Sequence, residues 1–238
     1  MATALRFRSA SATHAGSVRT ENQDALLAVD GRGLWAVSDG VGGLAYGAMA
    51  SAAVIESLRG GNDAERGWVR ARLEMANHEI NGLGTKAAPQ FGMAATAAVL
   101  GVSADRYFCL WAGDCRIYRL HRNGIAQLTH DHRYVQELID NRLLDAGAAR
   151  THPQRNVVTR AVGAGQALAL DECEGPIAAG DVFVLTTDGV TGVLEDKEIE
   201  KICRQDDAAL AVREIVRRCL ARMASDNLSV IVVRADAA

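Results

Sequence analysis

No CxxC pair occurs in this sequence of 238 residues: its five cysteines, Cys109, Cys115, Cys173, Cys203 and Cys219, stand apart and follow no regular spacing. That excludes a dithiol redox motif and a disulfide framework, and it points to free thiols in a reducing compartment. Long apolar runs are missing too. The longest are about ten residues, half of what a bilayer span requires, and MATALRFRSASATHAG at the start has no apolar segment of a secretory leader. The expectation is a cytoplasmic protein with no membrane partner. Basic residues are dispersed rather than gathered in runs, and the net charge is -3, which gives no electrostatic reason to expect nucleic acid. Neither HxxxH nor HExxH is present, which argues against a zinc hydrolase. No GxSxG elbow, no phosphate-cradling CxxxxxR loop and no Walker-type loop occurs either.

What is present is an ordinary globular balance, 49% hydrophobic and 23% charged. A chain of this length buries roughly three-quarters of its unfolded surface and needs no staples. Without repeats or a low-complexity linker it reads as one domain over 1–238, and as a monomer. Leu5 to about Ala12 alternates weakly, as an edge strand does. Ala25–Val29 and Leu34–Val37 flank Asp30-Gly31-Arg32-Gly33 as a hairpin. After a turn at Gly42-Gly43, helices are expected over Ala45–Leu58 and Ala64 to about Gly82. Ala95–Val102, Arg106–Trp111, Arg116–Leu120 and Ile125–Leu128 read as four strands of one meander, the last two joined at Asn123-Gly124. Tyr134–Leu144 reads as a helix, and Asp145–Thr159 as a mobile surface segment. The last third reads strand, strand, helix, strand. Val182–Thr186 is a β-branched run, and Val212, Ile215, Val216, Cys219, Leu220 and Met223 mark an amphipathic helix. The opposite face of that helix carries Arg213, Glu214, Arg217, Arg218 and Arg222, a pattern of solvated faces. Leu228–Val233 closes the chain as a strand.

Four aspartates stand at the ends of apolar runs. Asp39 and Asp188 end strands and are followed by glycine, Asp114 follows a third run, and Asp226 precedes a fourth. Four like charges converging on one end of a sheet repel unless a cation sits among them, and hard oxygen ligands suit magnesium or manganese. A single Asp-Gly after a strand is more often only a turn. Spacing alone leaves a metal site and a set of loops both open.

The order of motifs resembles the type-2C (PPM) metal-dependent serine/threonine protein phosphatases in their compact bacterial form. Gly16-Ser17-Val18-Arg19-Thr20-Glu21-Asn22-Gln23-Asp24 is similar to G-x-V-R-x-x-N-x-D, and Ser38-Asp39-Gly40-Val41-Gly42-Gly43 to D-G-M-G-G. Ala112-Gly113-Asp114-Cys115-Arg116-Ile117-Tyr118 is similar to G-D-S-R-x-Y, and Leu128-Thr129-His130-Asp131-His132 to L-T-x-D-H. His152–Asn156 with Thr159–Gly163, then Gly180-Asp181 through Thr187-Asp188-Gly189-Val190, then Asp226-Asn227 complete the series, from about Thr13 to Val233.

The resemblance implies an α+β fold, a four-layer α-β-β-α sandwich of two mainly antiparallel sheets flanked by helices. It implies hydrolysis of phosphoserine and phosphothreonine on a partner protein, a kinase or a kinase target, by water that two Mn2+ or Mg2+ ions activate, with no phosphoenzyme. By the resemblance Asp39 bridges the two ions, the Gly40 carbonyl joins the first, and Asp188 and Asp226 hold the second. Asp114 with Asp188 holds a third, weaker ion, Arg19 grips the substrate phosphate, and Asp24 orients water. Departures from the pattern are Met93-Ala94-Ala95-Thr96 for M-G-T-T, expected to alter packing rather than activity, and Gln23 for Glu. Val41 stands where some members carry a histidine. Cys115 stands for Ser, and is expected as a partly exposed, oxidation-sensitive thiol. Two other readings share the site: a phosphoprotein-binding pseudophosphatase and a hydrolase of small phosphoesters.

Overall fold

The computed structural model describes residues 5–41, 46–61, 64–87, 92–121 and 124–238. The elements run β1 Leu5–His14, β2 Asp24–Val29, β3 Leu34–Val41, α1 Tyr46–Ser57, α2 Arg66–Ala87, β4 Ala94–Ala95, β5 Ala97–Ser103, β6 Arg106–Ala112, β7 Arg116–His121 and β8 Gly124–Gln127. They continue with α3 Tyr134–Asp140, α4 Ala146–Ala149, β9 Asp171–Pro176, β10 Val182–Thr186, α5 Asp188–Thr191, α6 Asp196–Cys203, α7 Ala208–Ala221 and β11 Leu228–Ala237. The expected turn at Gly42-Gly43, Ala45 and Asn123 lie outside the described residues.

Two antiparallel sheets stack face to face. One has the order β1-β11-β10-β7-β8, the other β2-β3-β5-β6-β9 with β4 beside β3. Their inner faces meet in a core of Trp35, Val37, Leu100, Ile117, Phe183, Leu185 and Ile231. A second apolar layer joins the β3 sheet to α1 and α2 through Val54, Leu58, Val69, Leu73 and Ile80. A third joins the β10 sheet to α6 and α7 through Ile199, Ile202, Val212 and Ile215. This is the expected α-β-β-α sandwich. Central strands covered on both faces read as continuous apolar runs, and β10 is buried along its whole length. The edge strand β1 is half-buried and pairs with β11 from Leu5↔Ala237 to His14↔Leu228.

The structure corrects several local expectations. The four middle strands are no single meander: β5 and β6 lie in one sheet, while β7 and β8 lie in the other. The chain changes sheets at Gly113–Cys115, a crossing that apolar patterning does not mark. The helix from Tyr134 stops at Asp140 because Arg142 takes a left-handed conformation, φ +58°. There Leu143 N–H donates back to the Leu138 carbonyl at 2.8 Å, the closure of a Schellman motif without its usual glycine. The segment 145–159 holds the short α4 and is tied to Arg133 by an antiparallel bridge at Val158. The last third holds two further helices, α5 and α6. The first turn of α6 is closed by Glu198, whose carboxylate accepts from Glu195 N–H at 3.3 Å. The arginine face of α7 is largely paired within the chain: Arg217 and Arg218 with Glu214, and Arg222 with Glu198.

Candidate active site

At one end of the sandwich, strand ends from both sheets surround a cleft of 570 Å³. Its walls come from Arg19, Thr20, Glu21 and Gln23, from Asp39, Gly40 and Val41, and from Asp114, Asn156, Val158, Asp188, Asp226 and Asn227. All seven residues singled out from the sequence, Arg19, Asp24, Asp39, Gly40, Asp114, Asp188 and Asp226, gather in or beside this cleft.

Asp39 sits on β3 directly opposite Asp24 on β2. Its backbone is fixed from the neighbouring strand: Asp39 N–H donates to Thr96 Oγ1 at 2.9 Å, and Thr96 N–H to the Asp39 carbonyl at 2.8 Å. Ser38 Oγ adds a bond to the Thr96 carbonyl at 2.6 Å. The Met93–Thr96 segment therefore shapes the site itself. Asp24 spans the two sheets, because its Oδ2 accepts from Thr187 Oγ1 and from Ser229 Oγ, each at 2.8 Å. The glycines after Asp39 and Asp188 are there for close approach. A Cβ on Gly40 would lie 2.3 Å from the Gly47 carbonyl oxygen, and one on Gly189 only 1.9 Å from that of Asn227.

One side chain, Asn227, makes three hydrogen bonds to the segment that carries Arg19. Asn227 Oδ1 accepts from Gln23 N–H at 2.8 Å, and its Nδ2 donates to the carbonyls of Ala15 at 3.0 Å and Glu21 at 2.8 Å. Arg19 then forks onto Asp226, with contacts of 3.1 and 2.9 Å. Asn227 appeared in the sequence only as the neighbour of Asp226; its clamp on a distant loop is a tertiary fact. Asn227→Ala should cost about 2–3 kcal/mol through three lost hydrogen bonds, and lower the melting temperature by roughly 5–10 °C. Thermal denaturation measures this, and an unchanged melting point would show that the loop is held by other means.

The L-T-x-D-H stretch braces the Asp114 loop. His132 Nδ1 accepts from Gly113 N–H at 3.1 Å, which leaves Nε2 to donate to Asp171 Oδ2, also at 3.1 Å. Burial lowers the His132 pKa, in keeping with this neutral tautomer. Asp131 meanwhile takes Arg116, with contacts of 2.6 to 3.1 Å. Asp114 is left to Arg133, which no motif of the sequence singles out. Arg133 Nε lies 2.6 Å from Asp114 Oδ2, and its Nη2 3.4 Å from Asp188 Oδ2.

Five aspartates thus face two guanidiniums, three more negative than positive charges if all are ionised, and Glu21 adds another carboxylate to the cleft wall. Burial, then repulsion from Asp24 and the other carboxylates, holds Asp39 well above the usual range. Burial with Asp114 nearby pushes Asp188 up to about 7, against the pull of Arg133. Burial raises Asp24 to about 6, although the bonds from Ser229 and Thr187 favour its charged form. Asp24 Oδ1 and Asp188 Oδ1 are buried without a hydrogen-bond partner among the described residues. Unpaired hard oxygens within an excess of negative charge fit a divalent cation. The ring is open, however: among the described residues no three carboxylate, His or Cys side chains close around one point. Cys115 departs from expectation. It is 1% exposed, with Sγ 2.9 Å from Thr96 Oγ1, and burial raises its pKa well above that of an ordinary thiol. A buried protonated thiol is a poor target for oxidants.

The family profile described as protein phosphatase 2C matches residues 29–228. The chain belongs to the protein phosphatase 2C family. It is 30% identical over 233 residues to the serine/threonine protein phosphatase PstP of Mycobacterium tuberculosis, a match that takes 96% of this chain but 45% of PstP. The chain therefore spans less than half the length of that relative. The protein phosphatase PhpP of Streptococcus pneumoniae is also 30% identical, over 234 residues, with 93% of this chain and 94% of PhpP covered. Among solved structures, PppA of Pseudomonas aeruginosa, described as a key regulatory component of T6SS, superposes with a TM-score of 0.89. It is 36% identical, with 98% and 100% of the two chains covered. The catalytic domain of PstP in complex with two manganese ions superposes with a TM-score of 0.87 at 26% identity, covering 98% and 100%. Among the described residues no helix is long and apolar enough to cross a membrane.

Proposed function

We propose that this chain, acting as one catalytic unit over 1–238, hydrolyses phosphoserine and phosphothreonine esters on a protein substrate and so reverses a serine/threonine kinase of a bacterial signalling pathway. The observation that carries the reading is the gathering of Asp39, Asp188 and Asp226, with Arg19 at the rim, in a phosphatase 2C fold. Asp39, the Gly40 carbonyl, Asp188 and Asp226 would hold two manganese or magnesium ions. Once bound, the ions supply a nucleophilic water of lowered pKa and offset charge on the phosphate.

The protein's own groups do the rest. Asp24 keeps Oδ2 engaged with Thr187 and Ser229, so the unpartnered Oδ1 is the atom left to orient and accept a water proton. Arg19, with half its side chain exposed, can leave Asp226 for two oxygens of an incoming phosphate, a match its planar fork makes well. No serine or cysteine lines the cleft among the described residues, in keeping with direct attack by water. Val41 lines it where some relatives carry a histidine, so the leaving alkoxide would take its proton from water or from another side chain. A monomer and a cytoplasmic setting belong to the same reading, whereas a third ion between Asp114 and Asp188 would meet the Arg133 guanidinium already there.

The test is phosphate release from a phosphothreonine peptide with Mn2+, with Mg2+ and with EDTA. Release that needs a metal is expected. No release from folded protein under any metal would favour the phosphoprotein-binding pseudophosphatase, and preference for nucleotides would favour the small-ester hydrolase. Arg19→Ala should raise KM roughly tenfold with kcat changed by less than about threefold, since it removes phosphate binding and leaves the carboxylates in place.

A further inference from the structure

The geometry points to Arg133 as a built-in cation that fills the position between Asp114 and Asp188, so that the site binds two divalent ions and keeps a third out. The inference rests on the two-ion reading of Asp39, Asp188 and Asp226.

Asp114 is buried, its side chain 3% exposed, and Arg116, two residues on, offers it no relief because it is committed to Asp131. Its charge is met instead by Arg133 Nε at 2.6 Å, while the same guanidinium reaches Asp188 at 3.4 Å. A charge-assisted contact this short, away from water, is among the stronger side-chain bonds, and losing one partner strands the other. A guanidinium stays protonated in a folded protein, so the group does not leave by losing its proton. A divalent ion entering between Asp114 and Asp188 has to expel it.

Arg133 is also hard to move. Its backbone pairs with Val158, Tyr134 N–H donates to the Val157 carbonyl at 2.9 Å, and Thr159 N–H to the His132 carbonyl at 2.8 Å. The side chain is delivered from a fixed, strand-like pair at the mouth of α3. That pair belongs to the segment whose Asn156 and Val158 line the cleft. Arg133 is thus a positioning residue with two effects: it neutralises Asp114 permanently, and it ties the 156–158 wall to the carboxylates.

Isothermal titration of the whole chain with Mn2+ tests this. Wild type is expected to bind two ions, and Arg133→Ser to bind a third, at least tenfold more tightly than any third ion in wild type. Arg133→Lys should restore two, and Arg133→Ser with Asp114→Asn should lose the added ion. Should Arg133→Ser not fold, Asp114→Asn alone still decides: the wild-type stoichiometry of two should persist. A third ion in wild type that Asp114→Asn removes overturns the inference, as does Arg133→Ser binding two ions with wild-type affinities. Both outcomes leave the two-ion reading standing. Wild type that binds no Mn2+ overturns both.

Discussion

Asp39→Asn should lower phosphate release by a factor on the order of 10³ or more, with Mn2+ saturating for the wild type. The carboxylate stands opposite Asp24 and close enough to Asp188, Asp114 and Asp226 to feel each of them, so it is the common neighbour of the whole cluster. Asparagine keeps the shape but supplies no charge, and the cations that the cluster would hold would lose an anionic ligand. The fold should survive, because the bonds that place residue 39 run from its backbone to Thr96. A second measurement separates fold from site. In EDTA near pH 8 the variant should melt higher than wild type, since one repelling charge is gone. Turnover near the wild-type level would sink the assignment of Asp39, and a lower melting point in EDTA would show that its charge is not a burden.

Metal-free protein should lose stability as pH rises from about 5 to 8. Asp24 and Asp188 have folded-state values of about 6 and about 7, above the ordinary 3.8, so the folded state holds more protons than the unfolded chain between those limits. The stability these protonated groups contribute is full below pH 3.8 and is lost as pH climbs through 6 and then 7. At about 1.4 kcal/mol per pKa unit, and allowing for the two groups acting on each other, the loss is on the order of 3–5 kcal/mol, or about 10 °C in melting temperature. His132 works the other way, since its lowered value adds stability as the unfolded imidazole deprotonates near 6.5. Asp140, Asp171 and Asp236, whose values are lowered by partners, change their contribution only under acid conditions. Melting curves in EDTA across this range should therefore fall, and Mn2+ should restore more at pH 8 than at pH 5. A flat or rising melting temperature in EDTA would mean that the carboxylates are not crowded in solution.

The carboxylates were legible because their sequence context is a physical requirement. Asp39-Gly40 and Asp188-Gly189 need glycine where the chain passes within contact of the Gly47 and Asn227 backbones, so the pair of letters survives as a signal. The partition of strands between sheets was not legible. A strand buried on both faces has no alternation to show which sheet it joins, and β5 to β8 all carry apolar residues. Arg133 was hidden for another reason: a single arginine after a histidine means nothing until the backbone brings it to Asp114. The end of α3 was missed because Arg142 takes the left-handed position that glycine usually marks. Cys115 was misjudged because nearness to a charged site suggested water, whereas its thiol packs inward against Thr96.

The pairing of β1 with β11 sets when the site can exist. Arg19 and Asp24 follow β1, while Asp226 and Asn227 precede β11, so the residues that form one wall of the cleft lie some two hundred positions apart in the chain. During synthesis the early half must wait, with β1 unpaired and the Arg19 loop unclamped, until β11 has left the ribosome. No nascent fragment lacking that strand can hold a phosphate or a cation in the finished arrangement. The proposed activity would therefore arrive with the last strand rather than grow with the chain, and a truncation before Asn227 would remove the Arg19 clamp and the closing strand in one cut.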